Sequence, residues 1–389
     1  MALSDIVFIK GEGGLGRPLT GEDHISGLVF FIANANLPAG FSTTDRIKQV
    51  FSLSQAESLG IAKGGTYTDV MWYHISEYFR MQPDGQLYIG LFDNATIDYS
   101  VVKTLQNFAD GKIRQIGVFD ETTFTTATVG TLQTHATTLE TEHKPVQIIY
   151  SGNIAGVSDL STLSDLTTLS SKNVTVVIGE DGSGYGSTLA TAKSYSITCL
   201  GAILGAVSLA KVHEHIGWVA KFNLTDGTEL NVPAFANGTK VKDVATSLLT
   251  AIDNKGYLFV RKHIGNAGSF VEDTPTCIVA TSDYSTIENN RTIDKAVRGV
   301  RAFMLPNLNA PLYVDANGKL SEDTIAFFKN DADRALEQMQ VDGELSQYKV
   351  LIDPTQNVLS TSKLVVTIKI VPVGVARQIE INIGFTVNI

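Results

Sequence analysis

Three groups of residues in this chain have types and spacings that could do chemistry. The first is "GEGGLG", which places G-x-G-x-x-G at Gly11, Gly13 and Gly16 directly behind the strand-like residues 6–10. In a dinucleotide site such glycines seat a pyrophosphate on the N-terminus of a helix that starts at once, with an acid about 20 residues further on. Here Arg17 and Pro18 follow, then "LTGEDHISG" with no 3.6-residue apolar period, so no helix starts. The stretch reads instead as a short strand, Ile6, Val7, Phe8 and Ile9, on a flexible tether made by Gly11, Gly13, Gly14 and Gly16. No cofactor is expected.

The second group is a set of acids at the ends of apolar runs: "FDN" (Asp93), "FDE" (Asp120, Glu121), "YSGN" (Ser151) and "GEDGSGYG" (Glu180, Asp181). Ligands of parallel sheets bind beyond the carboxyl ends of the strands, so this is where a metal-dependent α/β enzyme would keep its site. The glycine loop at 179–186 precedes a helix but lacks a Lys-Ser/Thr ending, and its acids would repel a phosphate without a metal. Read plainly, these carboxylates cap helices and face water. The third group, "HEH" at His213–His215, reads as alternate residues of a strand without a third ligand, and the spacing H-E-x-x-H is absent. No G-x-S-x-G elbow is present. The residues call for neither a catalytic nor a metal site.

The elements that must position these groups follow from periodicity. Between residues 85 and 212 strand-like runs ("QLYIGLF", "IRQIGVF", "VQIIYS", "VTVVIG") alternate with helix-like ones, including a Thr-rich helix to about His143, "SDLSTLSDLTTLSS" and a last helix from Ser187. Such alternation predicts a largely parallel sheet covered by helices on both faces. Upstream, Ser54 and Glu57 suggest a capping box, and Val70, Met71, His74, Ile75, Tyr78 and Phe79 stripe a second helix, which makes His74 a packed histidine. After Trp218 the chain turns to strands and turns ("TDGTEL", "NKGYLFVRKHIGNAGSFVED", "CIVATSD") around one helix at 242–252, so a boundary is expected near Ala220. A long helix at 322–340, capped by Ser321, and two strands, "YKVLID" and "KLVVTIKIVPV", follow. The last eleven residues put Ile379, Ile381, Ile383, Phe385, Val387 and Ile389 on one face in strict alternation, an apolar strand in need of a partner.

Composition bounds the rest. With 389 residues, 43% hydrophobic and 18% charged, the chain is expected to fold into two or three globular domains. A net charge of -10 without any Lys/Arg run beyond "RKH" argues against nucleic-acid or anionic-membrane binding. Cys199 and Cys277 sit in apolar settings and read as buried thiols of a reducing cytoplasm. The first residues lack a signal-peptide pattern, and "CLGAILGAVSLA" is too short to span a bilayer, so no direct membrane insertion is expected.

The last hundred residues also resemble a known family. "SDYSTIENNRTIDKAVRGVRAFMLPNLNAPLYVDANGKLSEDTI", "GELSQYKVLIDP" and "STSKLVVTIKIVPVGVARQIEINIGF" are similar to the C-terminal region of contractile phage tail sheath proteins. "GYLFVRKHIGNAG" and "ISGLVFF" extend the resemblance upstream. It implies a structural subunit, not an enzyme, that polymerises helically around a tail tube and contracts to drive the tube through a target envelope. The implied partners are copies of itself, the tube protein, and baseplate and tail terminator proteins. The implied place is a virion tail or phage-tail-like particle assembled in the host cytoplasm. The implied fold is an α/β protein: an inner α+β sheath domain (221–375), an outward-facing α/β domain (21–220), and terminal β-strand arms (1–20 and 376–389) exchanged with neighbouring subunits. The glycines at 11, 13, 14 and 16 then form a hinge.

Overall fold

The computed structural model describes residues 21–386; the strand residues Ile6, Val7, Phe8 and Ile9, the hinge glycines Gly11, Gly13, Gly14 and Gly16, and Val387 and Ile389 lie outside them. The described strands and helices run β1 (Ile25–Ile32), β2 (Ile47–Val50), α1 (Leu53–Ser58), α2 (Asp69–Met81), β3 (Gln86–Asp93), α3 (Val101–Phe108), β4 (Gln115–Phe119), α4 (Thr126–Thr141), β5 (Gln147–Ser151) and β6 (Val174–Val177). They continue with β7 (Gly179–Asp181), α5 (Tyr185–Ala192), α6 (Leu200–Leu209), β8 (Pro233–Phe235), α7 (Thr246–Asn254), β9 (Tyr257–Leu258), β10 (Val260–Arg261) and β11 (Phe270–Val271). The last are α8 (Ile287–Met304), α9 (Glu322–Val341), β12 (Gln347–Ile352), α10 (Val358–Thr361) and β13 (Val366–Val371).

The β1 run "ISGLVFFI" is apolar on both faces and every residue is buried, as a central parallel strand requires. It lies third in a seven-stranded sheet of order β2-β3-β1-β4-β5-β6-β9. All neighbours are parallel except β2, which closes one edge antiparallel to β3. One face is covered by α2 and α6 and the other by α3 and α4, giving two apolar clusters back to back across the sheet. Helix α6 is apolar all round and is buried as such. It crosses α2 on its glycines: a Cβ on Gly201 would collide with the His74 carbonyl, and one on Gly205 would stand 2.6 Å from the Tyr78 carbonyl oxygen.

These two clusters do not divide at Ala220. Tyr257 and Leu258 extend the main sheet beside β6, and residues as late as Cys277 and Ile287 pack into the same cores. The break falls within α8. Its start belongs to the body, whereas Ala296 joins Ala332, Leu336, Met339, Leu345 and Val350 in a separate small core formed with α9, β12 and β13.

Several local expectations are corrected. The cap of α1 is Ser52, whose hydroxyl accepts from the Gln55 amide, with the Gln55 side chain reaching back to the Phe51 amide, two residues ahead of the expected box at Ser54. "SDLSTLSDLTTLSS" forms two 3-10 turns, because Asp159 and Asp165 bond the amides two residues on and compete with a continuous helix. The helix expected from Ser187 is two helices, α5 and α6. "TDGTEL" is a tight turn bridged by Asp226 and Glu229. "CIVATSD" forms no strand, and His213–His215 sit in turns.

Candidate assembly interface

Strands β12 and β13 form an antiparallel pair whose alternation decides what each face can do. Tyr348, Val350, Ile352, Val366, Ile368 and Ile370 share one face; Val350 lies in the small core, with Tyr348, Val366, Ile368 and Ile370 packed against it. On the other face Lys349 stands directly opposite Lys369, both exposed, a like-charge pair that weakens the isolated hairpin and discourages random stacking. Among the described residues, neither outer edge of the pair is joined to a further strand. Beside β13 lies an apolar groove of about 590 Å³, with Val297, Val300, Met304 and Leu308 along one wall and Ile368 and Ile370 along the other. Val297 and Leu308 remain largely exposed. An open edge next to an apolar trough is the geometry in which strand addition takes place, with alternate apolar side chains filling the trough.

A segment with that alternation is carried by the same chain. Residues 372–386 adopt neither helix nor strand, and Ile379, Ile381, Ile383 and Phe385 are each at least 72% exposed. Their own subunit gives these side chains no core. The arm's root, by contrast, is fixed: Arg377 donates from Nε to both carboxylate oxygens of Asp273 at 2.9 and 3.0 Å and from Nη2 to Glu288 at 2.7 Å. Asp273 also meets His215 Nε2 at 2.8 Å. Burial alone would raise the Asp273 carboxyl, but His215 and Arg377 hold it below its ordinary value.

The strand-end acids do not form a common site, and three of them are not the solvated caps expected. Asp120 is buried and accepts from the Tyr99 and Tyr150 hydroxyls at 2.7 and 3.0 Å and from the Thr122 amide at 2.8 Å. Asp181, fully buried, accepts from the Ser183 and Gly184 amides of the turn ahead of α5, both at 3.0 Å. Glu229 accepts from the Tyr185 amide at the start of that helix, and burial together with Asp181 pushes it up to about 7. Burial, with Asp181 adding to it, pushes Glu180 up to about 8. Glu121 is exposed and Asp93 half-buried. The "HEH" residues also part company: His215 serves Asp273, while Glu214 is tied to Lys221. Among the described residues no group of three His, Cys, Asp or Glu is placed to hold a metal.

The anchor at Arg377 was missed by sequence reasoning. The charge pattern of α8, where Glu288, Arg291, Lys295 and Arg298 recur at steps of three and four, is readable, but nothing in it points to Arg377 as a partner.

Two family domains account for nearly the whole chain: the DUF2586 N-terminal domain matches residues 3–275 and the DUF2586 C-terminal domain matches residues 283–389. The chain belongs to the DUF2586 family. The junction between the two DUF2586 domains falls just ahead of α8, the helix that joins the body to the small core. No curated protein matches the sequence. Among solved structures, this DUF2586 chain is similar to a chain of the anti-feeding prophage baseplate, with a TM-score of 0.65 at 16% identity over 99% of this chain and all of that one. It is equally similar to a chain of the anti-feeding prophage helical sheath in its contracted state, at 15% identity over the full length of both. A chain of the PVC sheath complex, an extracellular contractile injection system in its contracted state, gives 0.61 at 13% identity over 100% of this chain and 99% of that one. The fold is that of contractile sheath proteins.

Proposed function

We propose that this chain is the structural subunit of a contractile sheath, which polymerises helically around a tube and contracts to drive the tube through a target envelope. The observation that carries the reading is the end-to-end fold match to a sheath in its contracted state. The open-edged hairpin and the exposed apolar arm supply the means. In this reading the arm carrying Ile379, Ile381, Ile383, Phe385, Val387 and Ile389 adds to the β12–β13 pair of a neighbour. The strand Ile6, Val7, Phe8 and Ile9 does likewise, swinging on Gly11, Gly13, Gly14 and Gly16. The body built on the seven-stranded sheet faces outward, and the small core with its hairpin faces the tube. The tube, a baseplate and a tail terminator are the partners, in a virion tail or phage-tail-like particle assembled in the host cytoplasm. The work comes from energy stored during assembly, so the subunit is not an enzyme and needs no nucleotide.

Magnitudes explain why the arms need a lattice. Burying six large apolar side chains is worth about 1.5 to 3 kcal/mol each, while ordering a dozen backbone residues costs about 1 to 2 kcal/mol apiece. These nearly cancel, so an isolated exchange is marginal and ladder hydrogen bonds from several simultaneous neighbours hold the strand. The strand-end acids favour no enzymatic reading, because Asp120 is engaged by the Tyr99 and Tyr150 hydroxyls and Asp181 by the amides of its own loop.

Negative-stain electron microscopy of the purified chain, alone and with its tube protein, tests the proposal. Long helical polymers are expected. Deleting residues 378–389 should leave a folded monomer with an unchanged melting transition that no longer polymerises. Closed small oligomers, or polymers unaffected by the deletion, overturn it.

A further inference from the structure

The roots of both terminal arms end on one face of one helix. In α8 the residues Glu288, Arg291, Lys295 and Arg298 succeed each other at steps of three, four and three, which aligns them along a single side. From the C-terminal side, Arg377 reaches Glu288 in the first turn and the neighbouring Asp273. From the N-terminal side, Asp23 meets Lys295 at 2.7 Å and Arg298 at 3.0 Å, while Arg291 donates to the Asp23 carbonyl at 3.1 Å. Glu22, next to it, pairs with Arg114. Lys295 is itself held by Glu344 at 2.6 Å.

The polarity of the two roots is opposite, and so is that of their receptors. The C-terminal root is a guanidinium and meets an acid, placed at the helix N-terminus where negative charge is favoured. The N-terminal root is a carboxylate that meets two cations further along, Lys295 and Arg298, while Arg291 holds its backbone carbonyl. Neither root could take the other's place without facing like charge. Glu288 is buried, and Asp23, Lys295 and Arg298 are partly buried, so these pairs are weakened by salt less than fully exposed ones. Lys295 and Arg298 hold the Asp23 carboxyl below its ordinary value although burial alone would raise it.

We propose that this face of α8 is a double anchor, holding the roots of the two arms about 10 Å apart along one rigid rod, so that a subunit offers both strands to its neighbours at a fixed spacing. The consequence for assembly rests on the exchange of arms set out above; the anchor itself is a property of the single chain.

Hydrogen exchange on the soluble full-length chain separates the two. Arg377→Met should speed exchange of the Thr274 amide, which donates to Asp273, and of the Arg377 amide, which donates to Val375, at least tenfold, and Asp23→Asn that of Ile25, which donates to Glu22, with the rest of β1 and β4 unchanged in both. Asp23→Glu, which keeps the charge, should stay within threefold of the parent. If Asp23→Asn does not fold, Arg298→Met, which removes one partner of Asp23, is read in its place. In parallel, sedimentation and electron microscopy should show at least tenfold fewer ordered polymers for Arg377→Met and Asp23→Asn, and parental yield for Asp23→Glu. Unchanged exchange at the roots of a folded variant, or ordered polymers at parental yield, overturns the anchor. A parent chain that never polymerises sinks the sheath reading, while the exchange data still decide the anchor.

Discussion

His74 lies wholly inside the body, between Phe30, Tyr73 and Phe119, and neither ring nitrogen has a partner. Burial lowers it to about 3. The unfolded chain, titrating near the ordinary 6.5, therefore binds the extra proton across that interval. Stability is intact above pH 6.5 and declines as pH falls toward 3, by about 2 kcal/mol between pH 7 and pH 5 from this group. His74→Leu should flatten that part of the pH profile in urea titrations at pH 5 and 7; an unchanged slope would place the loss elsewhere. Glu180 works in the other direction. Because burial, helped by Asp181, raises it to about 8, the folded chain holds the proton more tightly, and stability is lost as pH rises through about 8. Glu180→Gln should therefore raise the melting temperature at pH 8.5 and leave it nearly unchanged at pH 5.

At the scale of elements, the crossing of α6 over α2 is the least forgiving contact of the body, because it is backbone against backbone. Gly201→Val should cost about 3 kcal/mol or more, read as a lowered urea midpoint or loss of soluble protein; a variant as stable as the parent would mean that the two helices can part. The same helix shows where sequence reading ran out. Period-two alternation, long buried runs and a 3.6-residue apolar stripe made β3 to β6, α9, β12 and β13 legible, since each writes one face or one core into the local pattern, whereas β1 opens inside the glycine-bearing stretch "LTGEDHISG" that reads as loop. "CLGAILGAVSLA" has no polar face, so its pattern gives burial without direction, and only the tertiary contacts of Gly201 and Gly205 say what it packs on. The apolar face of Ile379, Ile381, Ile383 and Phe385 was visible for the same reason as the strands. The anchor was not, because Arg377 and Asp273 are more than a hundred residues apart and no local period joins them. The acids misled in a similar way: whether Asp120 faces water or two tyrosines is decided by β5 and by the loop before α3, not by its neighbours in sequence.

For the molecule as a whole, the body has two large clusters across a seven-stranded sheet, whereas the small core holds only six fully buried apolar side chains. The apolar surface removed from water differs accordingly. Urea should unfold the chain in two steps, the small core first. Trp72 and Trp218 both belong to the body, so their fluorescence should follow only the second step while far-ultraviolet circular dichroism follows both; coincident curves would show one cooperative unit.

The placing of the hairpin after the sheet also sets a timetable. Every strand of the main sheet precedes residue 259, and β12 begins only after the 88 residues 259–346 have been added. At translation rates of about 5 to 20 residues per second, that interval lasts roughly 4 to 18 seconds. Small domains commonly fold within seconds or less. A nascent body can thus close its sheet before the open-edged hairpin exists, and long before the arm does. Crowded polysomes making this chain would hold finished bodies that cannot yet receive a strand from one another.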